Sequence, residues 1–286
     1  AIPISWVASE TDMSQISNYS IRDEIREFWS ERAATFDQSV GHEVFSEAER
    51  RGWHRLIRKH LGAGQKRPLL DLACDTAVIS HLMNDMGFQV TGLDWSDAML
   101  EQARAKAAAR GTDMRFIARD AERTAEPDDS YDAITNRHLV WTLVDVPAAF
   151  AEWHRVLKPG GKLLIVDGNM GKPSWVGKVH ATVNKLLGRP APVKGHMDPA
   201  MAERHRRIRE QVYFNAGMPA EAVVDLLHQA GFIDVVVDRK LWDIHLAQAR
   251  KMPFWRAAER LTSERFAICA TKPRGDAPSV GYQSMA

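Results

Sequence analysis

Short apolar runs alternate along the chain with segments whose apolar residues return every three or four positions. Residues 69–73, 88–93, 114–118, 131–136 and 162–166 are of the first kind and predict strands buried on both faces. Residues 78–86, 97–110 and 146–157 are of the second kind and predict helices. Gly87 and Gly111 stop two of them, and Ser96 stands where an N-cap hydroxyl is wanted. Strand and helix in alternation imply right-handed crossovers and a parallel sheet, hence a doubly wound, Rossmann-like α/β fold. Ligands of such sheets rest beyond the carboxyl ends of the strands, where Asp94, Asp120 and residues 136–138 fall.

The flanks carry a different pattern. Ile21, Ile25, Phe28, Trp29 and Phe36 recur at helical spacing, and Trp53, Leu56, Ile57 and His60 form a second stripe ended by Gly62. Residues 21–62 therefore predict a helical cap on an α/β domain over 63–272. Two insertions, 169–218 and 239–264, interrupt that domain; the second lies between predicted strands 232–238 and 265–271, where a hairpin would suffice. Residues 1–20 predict a flexible lead, native or an added leader ending before Met13, and 273–286 a flexible tail.

Composition changes this picture little. A chain of 286 residues that is 45% hydrophobic can bury one large core with a small cap. Lys and Arg number 38 against 37 Asp and Glu, so a net charge of +1 offers no global field for nucleic acid or an anionic membrane. Cys74 and Cys269 give neither a disulfide framework nor metal-ligand spacing, which fits a reducing cytoplasm. No apolar run approaches the ~18 residues of a membrane span. The opening residues lack the basic start and apolar length of a signal peptide. The expectation is a cytoplasmic monomer or homodimer with a small-molecule partner, no nucleic acid, no membrane and no metal.

Candidate chemistry concentrates where the first of these strands meets its helix, Leu69-Leu-Asp-Leu-Ala-Cys-Asp-Thr-Ala77. The passage has the layout of a nucleotide-binding turn, in which a ligand rests on N–H groups at a helix N-terminus, yet it contains no glycine. The next strand ends in Asp94, whose carboxylate can accept hydrogen bonds from two adjacent ribose hydroxyls. Leu70-Asp-Leu-Ala-Cys-Asp-Thr-Ala77, Gly92-Leu-Asp-Trp-Ser96, Arg119-Asp-Ala-Glu122, Tyr131-Asp-Ala133 and Leu157-Lys-Pro-Gly-Gly-Lys-Leu163 follow one another in an order and spacing that resembles the class I S-adenosylmethionine-dependent methyltransferases. The resemblance covers residues 22–168, with a weaker match through the last strands.

The resemblance implies a seven-stranded, mostly parallel sheet, S-adenosyl-L-methionine as cofactor, and methyl transfer. It places Asp71, Ala73 and Asp75 at the cofactor turn, Asp94 on the ribose, and Trp95 or Met99 against the adenine face. Asp120 and Ala121 would meet the adenine edge, and Asn136 would border the methionine part. His138 becomes a candidate for taking a proton from, or orienting, the acceptor; a structural histidine is the competing reading, because methyl transfer needs little acid–base help. Trp29, His42, Trp141, Trp242 and Trp255 are candidates for the acceptor pocket, with ordinary packing as the alternative, and Arg32 could meet the methionine carboxylate. The basic run 204–209 reads as a helix face in water.

Where the family turn has glycine, this chain has Ala73, Asp75 and Ala77. The two alanines are accommodated if their φ is negative, whereas a positive φ is strained for any residue with a Cβ. Asp75 brings a charge next to the cofactor carboxylate. Two readings stay open: Asp75 turns to the cofactor's ammonium group, or the turn is disabled. The function that results is methyl transfer to N, O or S of a small molecule. The alternative is a methyltransferase-fold binding protein without catalysis, its first motif disabled at those three positions.

Overall fold

The computed structural model describes residues 20–169, 174–188 and 198–275. The expected lead apart from Ser20, the end of the tail and part of the first insertion lie outside the described residues. α1 (Ile21–Arg32) and α2 (Glu47–Leu61) precede the sheet, joined through a 3-10 turn at Ala33–Gln38. Then follow β1 (Pro68–Leu72), α3 (Val78–Asp85), β2 (Gln89–Asp94), α4 (Asp97–Ala109), β3 (Arg115–Ala118), β4 (Tyr131–Arg137), α5 (Val146–Val156) and β5 (Leu157–Gly168). The first insertion supplies α6 (Trp175–Leu186) and α7 (Pro199–Gln211). After it come α8 (Ala220–Gln229), β6 (Ile233–Asp238), α9 (Trp242–Ala249), α10 (Phe254–Thr262) and β7 (Arg265–Thr271).

Seven strands form one sheet in the order β3-β2-β1-β4-β5-β7-β6. β1 pairs in parallel with both β2 and β4, so the order reverses at β1 and opens a crevice at its carboxyl end. β7 alone runs antiparallel to its neighbours, between β5 and β6. Adjacent strand residues serve opposite faces: Leu69 packs with Trp53, Ile57, Met83 and Leu164, while Leu70 packs with Phe150, Trp153 and Phe266. This two-sided burial is what the unbroken apolar runs record.

Local chemistry sets the ends of the helices that flank the crevice. The Ser96 hydroxyl accepts from the Met99 N–H at 3.2 Å and caps α4 as the sequence predicts. Ser20 and Asp23 form a reciprocal capping box at the start of α1. α1 then lies over the crevice, where Ile25 and Phe28 pack against Ile208 of α7 and Val212 just past its end. The basic run on α7 is therefore not simply a face in water. Arg204, with a side chain only 18% exposed, pairs with Glu31 at 2.8 Å and Glu27 at 3.2 Å across the α1–α7 seam. α9 packs on α2 through Ile244 beside Trp53, and α10 adjoins α6.

Candidate functional site

The turn after β1 holds its three glycine-type positions in the left-handed region: φ is 50° at Ala73, 51° at Asp75 and 68° at Ala77. The condition that would accommodate the alanines, a negative φ, is not met. Cys74 must donate to Leu93 O at 2.9 Å while Ala77 donates to Cys74 O at 2.8 Å and receives the N–H of His81 at 2.9 Å. This tight path into α3 imposes the left-handed geometry whatever the side chain. Each such residue stores on the order of 1 kcal/mol of strain.

Asp94 closes the floor. Its Oδ2 accepts from the Asp75 N–H at 3.0 Å and its Oδ1 from the Ser96 N–H at 2.9 Å. Burial raises its pKa to about 6, against the pull of those backbone donors. Asp75 titrates well above the usual carboxylate range, because burial and then the charge of Asp94 disfavour its ionised form. Of this coupled pair Asp94 is the ionised member, since it collects the N–H donors, and Asp75 keeps its proton. A neutral Asp75 removes most of the like-charge conflict the sequence suggested.

The third wall is the segment after β3. Asp120 Oδ1 accepts from the Glu122 N–H at 2.9 Å, and Oδ2 pairs with Arg22 of α1 at 2.9 Å. Trp153, fully buried, donates its indole N–H to Ala121 O at 2.8 Å and so fixes the segment to the core. Glu122 also binds Arg22 and accepts from the Val144 N–H at 2.8 Å. Together these walls enclose a cavity of about 400 Å³. Ala73, Asp75, Asp94, Trp95, Asp120, Ala121 and His138 line it, as do Trp29, His42 and Trp141. Arg32 of α1 lines it as well, its pKa lowered by burial.

Five of the sequence candidates lie elsewhere. Asp71 is buried under the turn, accepts from the Ser80 hydroxyl at 2.6 Å, and is pushed by burial to a pKa of about 7. Met99 is fully buried against Ala33 and Phe36. Asn136, also fully buried, sits in the sheet between Leu72 and Ile165 with both side-chain polar atoms unpartnered. Trp242 is 62% exposed and Trp255 40%, the latter stacked on His180 at 4.8 Å. On α9 the inner face is taken by Ile244 and Ala247, which leaves Trp242 outward; Trp255 stands on α10, none of whose residues is fully buried.

His138 is in place but does not suit a base. Its Nε2 accepts from Arg265 Nη1 at 3.0 Å, which occupies the lone pair a base would use. Burial and the charges of Arg265 and Arg137 hold its pKa well below the ordinary histidine value. It is a neutral imidazole at a strained corner, φ 58°. Among wall residues the sequence reading missed, Glu122 follows directly on the Asp-Ala pair, and His205 and Arg209 share one face of α7 at i,i+4 spacing. Neither signal specifies a pocket without knowing that α7 reaches over the crevice. Among the described residues no group of three or more His, Cys, Asp or Glu is placed to hold a metal ion, and no helix is long and apolar enough to cross a membrane.

Comparison with known proteins agrees with the fold. The methyltransferase domain family matches residues 70–165. A demethylmenaquinone methyltransferase of Renibacterium salmoninarum is 34% identical over 155 residues, 54% of this chain and 63% of that protein. The ubiquinone/menaquinone biosynthesis C-methyltransferase UbiE of Desulfotalea psychrophila is 31% identical over 186 residues, 64% of this chain and 72% of that protein. Among solved structures, phosphoethanolamine N-methyltransferase 2 of Haemonchus contortus, with phosphomonomethylethanolamine and S-adenosylhomocysteine, superposes with a TM-score of 0.58. It is 15% identical, over 90% of this chain and 58% of that one, which is a likeness of fold.

Proposed function

The chain belongs to the class I S-adenosylmethionine-dependent methyltransferases, and from that membership we propose that it methylates a small molecule held in the cavity between the crevice and α1. The cavity carries this reading: about 400 Å³ is the scale of a small-molecule site, and α1 and α7 close over it as they would not over a polymer. The residues present fit the cofactor. Asp94 has the position to receive the ribose hydroxyls, and Asp120 with Ala121 the adenine edge. Trp95 offers an apolar slab, and Arg32 a cation for the methionine carboxylate. When bound, S-adenosylmethionine supplies a methyl group on a sulfonium sulfur, which keeps the C–S electron pair as the acceptor's pair forms the new bond.

The chain's own contribution is placement and exclusion of water. Trp29 and Trp141 meet edge to face at 6.3 Å, and with Phe36 they present flat apolar walls. An aromatic acceptor fits such walls, and relatives named for methylation in ubiquinone and menaquinone biosynthesis make a quinone-type ring the first to try. His138, neutral and hydrogen-bonded, orients rather than deprotonates. Incubation with labelled cofactor and a panel of reduced naphthoquinones tests this: a product one methyl heavier by mass spectrometry is expected. Trp141→Ala should raise acceptor KM and leave S-adenosylhomocysteine affinity nearly unchanged. Equal loss of both would make Trp141 part of the cofactor wall instead.

The second reading, a binding protein with a disabled turn, rests on the three strained residues at 73, 75 and 77. It differs in one outcome: tight cofactor binding would be absent.

A further inference from the structure

Behind His138 lies a second, smaller chamber, walled by Arg137, Arg260, Arg265, His245 and Asp167. It holds about 20 Å³, room for one water molecule, and shares Arg137 and His138 with the main cavity. The three arginines converge from the end of β4, from α10 and from the start of β7. None of them forms an ion pair among the described residues. Arg137 donates to Gly41 O at 2.9 Å, Arg260 to Val40 O at 3.3 Å and Arg265 to His138 Nε2 at 3.0 Å; the buried Nε of Arg265 has no partner. Gly41 has φ +94°, a conformation that favours glycine, and a Cβ there would also stand 2.5 Å from Arg260 Nη2.

The surrounding acids are committed elsewhere. Asp167, the carboxylate whose charge acts on Arg265, accepts from the N–H groups of Gly168 at 2.8 Å and Val140 at 3.2 Å, and burial raises it to about 7. Glu49, which acts on Arg260, accepts from Gln248 at 2.7 Å and from the Phe45 N–H. His42 and His245 are held near pKa 3 by burial and the same arginines, so they stay neutral. Burial lowers Arg260 to about 9 and Arg265 to about 10. Three arginines that share one carboxylate, Asp167, whose ionised form burial disfavours, are costly to keep together unless a further anion completes them.

We propose that this chamber receives the ionised oxygen of the methyl acceptor, a phenolate or enolate whose body lies in the main cavity. The proposal rests on the reading that the main cavity binds that acceptor. A phosphate is too large for the chamber, whereas a single oxygen matches its volume, and the chamber shares Arg137 and His138 with the main cavity. The arginines would lower the acceptor's own pKa, so that its proton is lost to water and no side chain need act as base. That accounts for a histidine whose lone pair is already taken.

4-Nitrophenol, whose phenolate absorbs visible light, is the probe. Its apparent pKa is read by titration with and without the full-length chain, and S-adenosylhomocysteine affinity is measured calorimetrically on the same samples. Bound probe is expected to ionise about one pH unit lower or more, a tenfold shift in its equilibrium. Arg260→Gln and Arg265→Gln should each reduce that shift while cofactor-product affinity holds within about twofold. Arg260 stands on outer helix α10 and keeps the test available if Arg265→Gln fails to fold. A probe that does not bind, that binds with its pKa unmoved, or that shifts equally in the variants overturns the proposal. So does loss of S-adenosylhomocysteine affinity in the variants, which would give the chamber to the cofactor's carboxylate. A chain that shifts the probe and fails to bind S-adenosylhomocysteine supports the anion site and counts against the methyltransferase reading alone.

Discussion

At residue scale the account turns on positions 73, 75 and 77, where residues with a Cβ occupy left-handed backbone. Ala77→Gly should stabilise the protein by roughly 0.5–1 kcal/mol, since relief of strain exceeds the extra freedom glycine gains when unfolded; no change in denaturant midpoint would mean the turn relaxes. Asp75→Gly separates the two functional readings by sign. Tighter S-adenosylhomocysteine binding marks Asp75 as an obstruction, weaker binding as a ligand for the ammonium group. A shift of about 1–3 kcal/mol is expected in either case for a partly desolvated contact. The pH dependence follows from the same side chain. Asp75, Asp71 and Asp167 hold their protons more tightly folded than unfolded, so the stability they contribute is full below the ordinary carboxylate pKa of about 4 and is lost as pH rises towards 7 and beyond. Asp75→Asn should therefore flatten the fall of Tm with pH over that window. An unchanged slope would show that Asp75 ionises normally.

At the scale of elements, the lid formed by α1 and α7 is a local unit on a rigid sheet. Phe28 is fully buried between Ile25, Ile208 and Val212 and stacks on His205 at 5.4 Å, while its neighbours Trp29 and Arg32 line the cavity. Phe28→Ala should cost about 3–5 kcal/mol of packing, concentrated in this seam. Hydrogen exchange in α1 and α7 would accelerate while β1, β4 and β5 stay protected, and affinity for S-adenosylhomocysteine would fall. Equal acceleration in the sheet would make the lid part of the core. The order of helices and strands from β1 to β5 was legible because each strand is buried on both faces and each helix carries its own stop. The reach of α7 was not, because its seam is made of Arg204 pairing with glutamates far away in sequence. The tryptophans of the second insertion mislead for a related reason: richness in aromatics does not say which side of a helix faces inward, and on α9 Ile244 takes that side.

At the scale of the molecule, topology assembles a site that no single segment announces. Asp94 and Asp120 could be placed from strand ends alone, because a doubly wound sheet sends both to the crevice. His138 could be located in the same way, but its chemistry could not be read. Arg265, which occupies its lone pair, arrives on the antiparallel strand β7, 127 residues later. Backbone dihedrals at the first turn were hidden as well, since sequence names the residue and not its φ. The most direct test of the whole account is a calorimetric titration of the unaltered chain with S-adenosylhomocysteine, set beside a nicotinamide dinucleotide and the Asp94→Ala variant. The account predicts a single saturable site for S-adenosylhomocysteine, no heat from the dinucleotide, and binding weakened by about 1.5–3 kcal/mol without the Asp94 carboxylate. Absence of binding to the unaltered chain, or an Asp94→Ala variant that folds and binds equally well, would contradict it.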